Sequence, residues 1–291
     1  RGRGPMKSGV IDIGSNSVRL LLWADGHTLY KKINTTRLGE GLSRTGVISG
    51  QAAARTVDAI AAFCAQAKRE GAERTFAFAT AAVRSAKNGQ AFVSDVLSRC
   101  GLAVDVLSGE REARAGLLGA LEGKDGGIVD VGGASSEVTV SLGGKAVYSY
   151  SLGLGAVLLK DLCGEDPAAL ARVIGERVEE YGEVPRAEMT AVGGTATSLA
   201  ALARGIQPYD PAKVHGTFLT AEEIGEWGGR LLGMTQSERL ALKGMDPARA
   251  DILGGGALLL GGILRKIGAH GVRVSERDNM EGYLLLSEEE R

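Results

Sequence analysis

The sequence contains few of the residues that mark secreted, zinc-binding or membrane proteins. Its three cysteines, Cys64, Cys100 and Cys163, are far apart and odd in number, so they predict neither a disulfide framework nor a zinc site. No uninterrupted apolar run is long enough to cross a bilayer, although 44% of the 291 residues are hydrophobic. The residues after Met6 also lack the order of a signal peptide. We therefore expect a soluble protein of the reducing cytoplasm.

The chain also lacks an excess of charge of either sign. Its 34 Lys and Arg residues stand against 35 Asp and Glu residues, which gives a formal net charge of −1. The molecule as a whole therefore does not attract anions over a distance, and a polyanionic ligand requires a local surface rich in cations or N–H groups. We expect neither a nucleic acid nor a membrane as a partner.

What the sequence has in abundance is glycine, with 44 residues, and one glycine turn near the start carries unusual chemistry. The stretch IDIGSNSVRL places Asp12 at the end of an apolar run and follows it with Gly14, Ser15, Asn16 and Ser17. A β-hairpin needs only a two-residue turn. This turn adds N–H groups, hydroxyls and a carboxylate, which suit phosphate oxygens and a divalent cation. On this motif alone, an elaborate turn without a ligand is an equally good interpretation.

A second turn of the same kind occurs later in the chain. The stretch VDVGGASSE places Asp130 at the end of another apolar run and follows it with Gly132, Gly133 and Ser135. The repeat predicts two domains that each begin with a strand-loop-strand unit and turn these loops toward a shared cleft.

The Gly-rich segment at residues 124–127 is the predicted boundary between the two domains. We expect an N-terminal domain of residues 6–125 and a C-terminal domain of residues 126–291. The last helix packs either within the second domain or back on the first. We interpret residues 1–5 as a remnant ahead of a native start at Met6.

Apolar periodicity predicts the elements of each half. In the first half we expect three strands at and after the opening turn, the short strands TFAFAT and AVDVLS, and helices at 51–71, 88–101 and 110–122. In the second half we expect the strands GGIVDVGG, EVTVSL, AVYSYSL and MTAVGG, and helices at 156–162 and 168–181. The remainder is predicted to be mainly helical, apart from a strand at VRVS.

Five ordered blocks give nearly the whole chain a resemblance to a known family. They are IDIGSNSVRL, ATAAVRSAKN, LSGEREAR, VDVGGASSE and the pair AVGGT and VHGTFLT. Together they resemble the exopolyphosphatase and guanosine pentaphosphate phosphohydrolase family, within the superfamily of acetate kinase, sugar kinases, Hsp70 and actin. The resemblance implies an α/β fold of two ribonuclease-H-like domains with the active site in the cleft between them. It also implies hydrolysis of a terminal phosphoryl group from inorganic polyphosphate, or of the 5′-phosphate of pppGpp.

The resemblance also assigns catalytic roles to four residues. The family's catalytic base falls on Glu112 and its phosphate-binding arginine on Arg84, while its active-site aspartate and glutamate fall on Asp130 and Glu137. These roles agree with the chemistry, because a carboxylate can deprotonate an attacking water and a guanidinium matches two phosphate oxygens. Read without the family motif, Glu112 is a solvated residue on a helix of mixed charge and Arg84 caps a strand or pairs with a surface acid.

The two glycine turns and their aspartates form the predicted phosphate and metal sites. The N–H groups of residues 14–17 and 132–136 can hold phosphates. Asp12 and Asp130 are the predicted ligands of Mg²⁺ or another divalent cation, which would neutralise charge on the transferring group. Their alternative role is in turn formation, since Asp commonly hydrogen-bonds its own backbone.

Three further features permit two interpretations each. Gly193, Gly194 and Thr195 form either a third phosphate-facing loop or a simple strand-to-helix turn. For His215 we expect a structural hydrogen bond and not a catalytic role. Close backbone packing explains the glycines at 254–256 as well as a ligand contact does.

Three departures from the family pattern affect these expectations. Ala134 stands where many relatives have glycine, and the loop tolerates it if that residue needs no positive φ. Arg111 replaces the first of two paired glutamates, which removes a like charge beside Glu112 and is expected to lower the pKa of the base. The chain also lacks the additional C-terminal domains of some relatives, so we expect a weak grip on long phosphate chains.

An exopolyphosphatase is the leading hypothesis for function. A pppGpp 5′-phosphohydrolase would require a guanine pocket that the sequence does not reveal, and a sensor of (p)ppGpp or polyphosphate would have no use for a base at Glu112. A sugar or acetate kinase of the same superfamily is disfavoured by the blocks ATAAVRSAKN and LSGEREAR. A homodimer remains an open alternative to a monomer.

Overall fold

The structure, a computed structural model, describes residues 7–289. The proposed native start at Met6 lies outside the described residues. The strands are β1 (Lys7–Ile13), β2 (Ser17–Ala24), β3 (His27–Thr35), β4 (Ala72–Ala79), β5 (Val104–Val106), β6 (Gly126–Val131), β7 (Ser136–Leu142), β8 (Lys145–Leu152), β9 (Met189–Val192), β10 (Phe218–Thr220) and β11 (Gly271–Val274).

The helices alternate with these strands and dominate the second half. They are α1 (Leu42–Thr45), α2 (Gly50–Arg69), α3 (Ala81–Ser85), α4 (Gly89–Cys100), α5 (Gly109–Leu121), α6 (Ala156–Cys163), α7 (Pro167–Arg177), α8 (Gly193–Ala203), α9 (Pro211–Val214), α10 (Ala221–Leu232), α11 (Gln236–Leu240), α12 (Leu253–Lys266) and α13 (Asn279–Glu289). Short 3-10 helices cover Val178–Tyr181 and Pro247–Arg249. No helix among the described residues is both long enough and apolar enough to cross a membrane.

By its contacts the chain divides into two compact units. Unit 1 takes the described residues up to Glu112 and those from Leu284 onward, whereas unit 2 takes Ala113–Tyr283. The division falls inside α5, ahead of the glycine-rich segment at residues 124–127 where the sequence predicted a domain boundary. Each unit is described separately below.

The sheet of unit 1 has five strands in the order β3-β2-β1-β4-β5. β1 and β2 form an antiparallel hairpin extended by β3, while β4 and β5 join β1 in parallel. Ser49 caps the N-terminus of helix α2, because its side chain accepts the N–H of Ala52. The apolar face of this helix contributes Val57, Ile60 and Phe63 to the core. This helix was predicted from the same periodicity, and the structure confirms it.

The sheet of unit 2 repeats that plan. Its order is β10-β11-β9-β6-β7-β8, in which β6, β7 and β8 form the antiparallel part and β9 and β11 run parallel to β6. The repeat seen in the sequence is therefore a repeat of topology. Strand β10 was predicted as part of a helical region, and that was wrong. Its three residues pair antiparallel with β11 at the sheet edge, and three residues are too few for apolar alternation to reveal.

Candidate active site

The first glycine turn, at residues 14–17, joins β1 to β2. Two of its carbonyl oxygens accept hydrogen bonds from the segment that follows β3. Ser15 O accepts the N–H of Gly39 at 2.8 Å, and Asn16 O accepts the N–H of Arg37 at 2.8 Å. A trans peptide directs its N–H opposite to its C=O. The N–H groups that follow these carbonyls, those of Asn16 and Ser17, are therefore directed away from these partners, where an anion can accept them.

The side chain of Asn16 is buried in this turn without hydrogen-bond partners. The residue is 5% exposed, and neither its amide nitrogen nor its amide oxygen has a hydrogen-bond partner. Buried polar atoms without partners are rare because their lost hydration is not replaced. A bound phosphate oxygen or hydrated cation would supply the missing partners.

The strand-end aspartate of unit 1 is held by an arginine. Asp12 lies opposite Arg19 in the hairpin register, and Arg19 Nε donates to Asp12 Oδ2 at 2.9 Å. A second bond comes from Arg19 Nη2 to the same oxygen. The sequence did not predict this role of Arg19. The available signal was its position, because Arg19 is as far beyond the middle of the hairpin as Asp12 is before it.

The predicted base and the predicted phosphate-binding arginine lie together in unit 1. Arg84 Nη1 donates to Glu112 Oε2 at 2.9 Å and to Leu107 O at 2.7 Å. Arg84 is at the end of α3, and Glu112 is in the first turn of α5, where its N–H bonds to Ser108 O. Two residues 28 positions apart in the chain are thus brought into contact.

Arg111, the departure beside the base, is bound elsewhere. Its Nη1 donates to both carboxylate oxygens of Asp105 at 3.0 and 2.8 Å. The charge of Arg111 is therefore largely balanced by Asp105. Its predicted influence on the pKa of Glu112 stays a prediction.

The second glycine turn, at residues 132–135, uses its carbonyls in the same way. Gly132 O accepts the N–H of Ala156 at 2.8 Å, and Gly133 O accepts the N–H groups at the start of α6. Gly155 permits this close approach, since a Cβ there would lie 2.5 Å from the carbonyl carbon of Gly133. The N–H groups of Gly133 and Ala134 are directed away from the helix by the same peptide geometry.

Ala134 fits this turn without strain. It is not among the residues of the described chain that have positive φ. The prediction that alanine is tolerated there is confirmed.

The strand-end aspartate of unit 2 faces an acid and not a base. Asp130 lies opposite Glu137 in the β6–β7 register, the position that Arg19 occupies in unit 1. Glu137 is 9% exposed, and its Oε1 accepts a hydrogen bond from Ser151 Oγ at 2.7 Å. Two cross-strand carboxylates repel each other, so this pair suits a cation far better than Asp12 does.

The exit of the second turn is fixed by a buried tyrosine. Tyr181 donates its hydroxyl to Ser136 O at 2.9 Å and lies 2.9 Å from Ser136 Oγ. Burial raises the pKa of Tyr181 well above its usual range, so the phenol stays neutral and keeps this bond. Glu137 follows Ser136 directly and is positioned by it.

The third predicted loop is a strand-to-helix turn that touches Asp130. β9 ends at Val192 and α8 begins at Gly193, whose φ is 80°. A Cβ on Gly193 would lie 2.3 Å from Asp130 Oδ1. Thr195 is 2% exposed and donates its hydroxyl to Val131 O at 2.8 Å. The segment is therefore a strand-to-helix turn that borders the Asp130 carboxylate, and its contact with phosphate stays a prediction.

Sequence reasoning missed Arg249, which packs against this third turn. The residue is 8% exposed, and a Cβ on Gly194 would lie 1.9 Å from its Nη2. Asp246 lies 3.6 Å from Arg249 Nε and caps the short 3-10 helix that presents it. No spacing in the sequence ties residue 249 to residue 194, because only the tertiary fold brings them together.

Two minor expectations agree with the structure. His215 Nδ1 accepts the N–H of Glu276 at 3.2 Å, which is a structural hydrogen bond. Gly256 lies in α12, where a Cβ would be 3.0 Å from Thr195 Cγ2. Close packing of α12 against α8 therefore accounts for the glycine at that position.

Both units thus repeat one α/β plan, a mixed sheet that opens with an antiparallel hairpin, and each carries a glycine turn between the first two strands of that hairpin. A sequence model of the Ppx/GppA phosphatase family matches residues 22–291. Exopolyphosphatase 2 of Mycobacterium tuberculosis is 34% identical over 94% of this chain and 96% of its own length. The chain belongs to the Ppx/GppA phosphatase family, and it is a phosphatase.

Solved structures of related proteins agree with this assignment. The Aquifex aeolicus member of the Ppx/GppA family superposes with a TM-score of 0.78 at 29% identity, covering 98% of both chains. An exopolyphosphatase from Cytophaga hutchinsonii superposes with a TM-score of 0.84 over 98% of both chains. At 23% identity, this second likeness shows the fold alone.

Proposed function

We propose that the protein releases terminal orthophosphate from inorganic polyphosphate, with Glu112 as the general base. The contact between Arg84 and Glu112, 2.9 Å from Nη1 to Oε2, is the observation that carries this proposal. It brings a phosphate-binding cation and a carboxylate together, as hydrolysis at a phosphorus atom requires. The relatives named as exopolyphosphatases support polyphosphate as the substrate class.

Glu112 would act on the attacking water. Its carboxylate accepts a proton as the water oxygen bonds to the terminal phosphorus, and the bond from that phosphorus to the bridging oxygen breaks. The shortened chain leaves with the bridging oxygen. Arg84 would bind oxygens of the terminal phosphoryl group, which weakens its bond to Glu112 and leaves the carboxylate available to the water.

The three turns and Arg249 would bind the phosphates. The N–H groups of Asn16 and Ser17, and those of Gly133 and Ala134, would donate to phosphate oxygens. The Asn16 side chain would gain the hydrogen-bond partners that it lacks. Arg249, beside the turn of Gly193, Gly194 and Thr195, adds a further cation. With a net charge of −1, the molecule as a whole does not attract polyphosphate over a distance. Binding would therefore depend on these local N–H groups and cations.

Mg²⁺ would be held by Asp130 and Glu137. Among the described residues no group of three or more His, Cys, Asp or Glu side chains is arranged to hold a metal. This agrees with Mg²⁺, which commonly binds through one or two carboxylates together with substrate phosphates. Asp12, the other predicted ligand, is paired with Arg19 and would reach a cation only through water. When bound, the ion neutralises negative charge that develops on the transferring group.

The proposal is tested by measuring orthophosphate release from long-chain polyphosphate, short-chain polyphosphate, pppGpp and ATP, side by side with Mg²⁺. We expect the highest kcat/KM on polyphosphate. A higher value on pppGpp would identify a pppGpp 5′-phosphohydrolase instead. Binding of these compounds without any release of phosphate would identify a sensor.

We expect phosphate release to require a divalent cation. Chelation should abolish the activity, because the charge on the transferring group is then not neutralised, and added Mg²⁺ should restore it. Asp130→Asn should raise the Mg²⁺ concentration needed for half-maximal activity. Full activity in protein shown to be metal-free by elemental analysis would contradict the metal part of the proposal.

A cytoplasmic location is also part of this proposal. Cys64, Cys100 and Cys163 are all free thiols, as expected in a reducing compartment. Burial raises the pKa of the Cys64 thiol to about 11, so this side chain stays protonated and is a poor nucleophile.

A further inference from the structure

Four strands of the unit 1 sheet run in one direction. β3 and β1 are both antiparallel to β2, while β4 and β5 are parallel to β1. We call the side of the sheet where these four strands end the carboxyl edge, and its last strand residues are Ile13, Thr35, Ala79 and Val106. The segments that follow lie at this edge and include the first glycine turn, Arg84 and Glu112. Ligands of open α/β sheets bind beyond the carboxyl ends of the strands.

Two of these segments are hydrogen-bonded to each other. The N–H of Lys87, in the segment after β4, donates to Gly46 O at 2.9 Å. The side chain of Asn88 bonds to both backbone groups of Ile48, because its Oδ1 accepts the N–H at 2.8 Å and its Nδ2 donates to the carbonyl oxygen at 2.8 Å. The segment after β3, which contains α1, is therefore fixed beside the segment that carries Arg84 and Lys87.

The cationic groups of Lys87 and Arg44 lie at the two ends of α1. A Cβ on Gly46, which follows α1, would lie 3.5 Å from Lys87 Nζ. A Cβ on Gly41, which precedes α1, would lie 3.7 Å from Arg44 Nη2. Since α1 has only four residues, both cations lie on the same short stretch of surface. Both residues are exposed, so an anion in solution can reach them.

The charges of Arg44 and Lys87 are not balanced by ion pairs. Neither side chain forms an ion pair or a hydrogen bond with any of the residues that the structure describes. The neighbouring Arg55, by contrast, pairs with Glu40 at 3.5 Å. Uncompensated cations at the edge that carries the candidate site favour the approach of a polyanion to that edge.

We propose that Lys87 and Arg44 bind phosphates of the polyphosphate chain that lie beyond the phosphoryl group being transferred. The inference rests on the proposed function, because it extends the same site along the chain. Arg84 would bind the terminal phosphoryl group beside Glu112. Lys87 follows Arg84 by three residues, and Arg44 lies in the segment to which Lys87 is bonded, so successive phosphates would meet successive cations. Two exposed cations add only modest affinity, which agrees with the weak grip on long chains expected from the sequence.

The test compares the Kd of long-chain polyphosphate, expressed per chain end, with the Kd of tripolyphosphate. Both are measured by calorimetry on protein carrying Glu112→Gln, so that neither ligand is consumed. Arg44→Ala together with Lys87→Ala should raise the Kd of the long chain about tenfold, since each exposed charge contact contributes a few-fold. The Kd of tripolyphosphate should change by less than about twofold, because exposed charges that a ligand does not reach are largely screened by salt. Arg44→Lys together with Lys87→Arg keeps both charges and should bind both ligands as the parent does.

Arg69→Ala together with Arg74→Ala is the matched control. Both arginines are exposed residues of unit 1. They lie at the end of α2 and the start of β4, and therefore at the opposite edge of the sheet. This pair removes the same charge and should leave both Kd values unchanged.

Three results would overturn the inference and leave the proposed function standing. In the first, the Arg44 and Lys87 alanine variant binds the long chain as the parent does. In the second, it weakens the binding of both ligands equally. In the third, the control pair weakens long-chain binding to the same extent. Failure of the parent to bind either polyphosphate would overturn both the inference and the proposed function.

Discussion

Replacing Glu112 by glutamine is expected to slow orthophosphate release from polyphosphate by about 10²–10⁴-fold, the usual contribution of general-base catalysis. The substitution keeps the size of the side chain and an oxygen that can accept the hydrogen bond from Arg84 Nη1. It removes the negative charge and the basic oxygen that takes the proton from water. Tripolyphosphate binding should therefore persist while turnover is lost.

The same helix turn supplies the control for this experiment. Glu110 is an exposed acid in the first turn of α5, two residues before Glu112. Glu110→Gln changes the net charge and the charge at the helix N-terminus in the same way, so its rate should stay close to that of the parent. If Glu112→Gln retains the parent rate, Glu112 is not the base and Glu137 becomes the next candidate.

The glycine turns show how far the sequence determines the candidate site. Both turns were predicted from one feature, an aspartate at a strand end followed by small residues, and both are strand-loop-strand units in the structure. Their similarity was visible because the pattern is local. The sequence did not predict which groups donate to the carbonyl oxygens of the turns. The donors Gly39 and Ala156 lie in segments about twenty residues further along the chain.

The difference between the two units was also hidden in the sequence. Asp12 and Asp130 look equivalent in their motifs, and both were predicted to bind metal. The strand register places Arg19 opposite the first and Glu137 opposite the second. The turn and the buried face of the sheet together fix the strand register. The different environments of Asp12 and Asp130 therefore follow from the register of each hairpin and not from the motifs alone.

Arginines in the interior were the hardest to predict. Arg249 lies beside Gly194 and Arg239 is 2% exposed, yet arginine is mostly a surface residue. Its burial depends on partners that are distant in sequence, as Glu165 is from Arg239. Apolar periodicity describes one segment of the chain at a time. It therefore cannot predict an ion pair between residues that are far apart in the sequence, such as Arg239 and Glu165.

Neutralising Glu165 is expected to destabilise unit 2 strongly. Arg239 donates from Nη1 to Glu165 Oε1 at 2.7 Å and from Nη2 to Oε2 at 2.9 Å, and it also bonds to Leu231 O and Ala250 O. Glu165→Gln would leave this buried guanidinium without its counter-charge, which typically costs about 3–5 kcal/mol. Since the Glu165 side chain is 36% exposed, water compensates in part, and we expect about 3 kcal/mol. That loss corresponds to a fall in Tm of roughly 6–12 °C.

The pH dependence provides a second and independent measurement. Hydrogen bonds from Arg239, and then from Lys160, lower the pKa of Glu165 to about 2 from its ordinary value of 4.5. A carboxyl with a lowered pKa stabilises the folded state fully above the unfolded pKa and loses this effect as the pH falls through the folded pKa. The difference in unfolding free energy between the parent and Glu165→Gln should therefore be constant above about pH 5 and shrink between pH 4.5 and pH 2.

Two further variants separate the buried pair from a general effect of charge. Glu176 pairs with Arg172 on α7 at 3.5 Å, with both side chains about two-thirds exposed, so Glu176→Gln should change the free energy of unfolding by less than about 1 kcal/mol. Adding Arg239→Met to Glu165→Gln removes the uncompensated charge, and apolar replacements of buried ion pairs are often tolerated. The double variant should therefore be more stable than Glu165→Gln alone. If urea unfolding shows equal losses for Glu165→Gln and Glu176→Gln, the bond between Glu165 and Arg239 contributes no more than a surface ion pair.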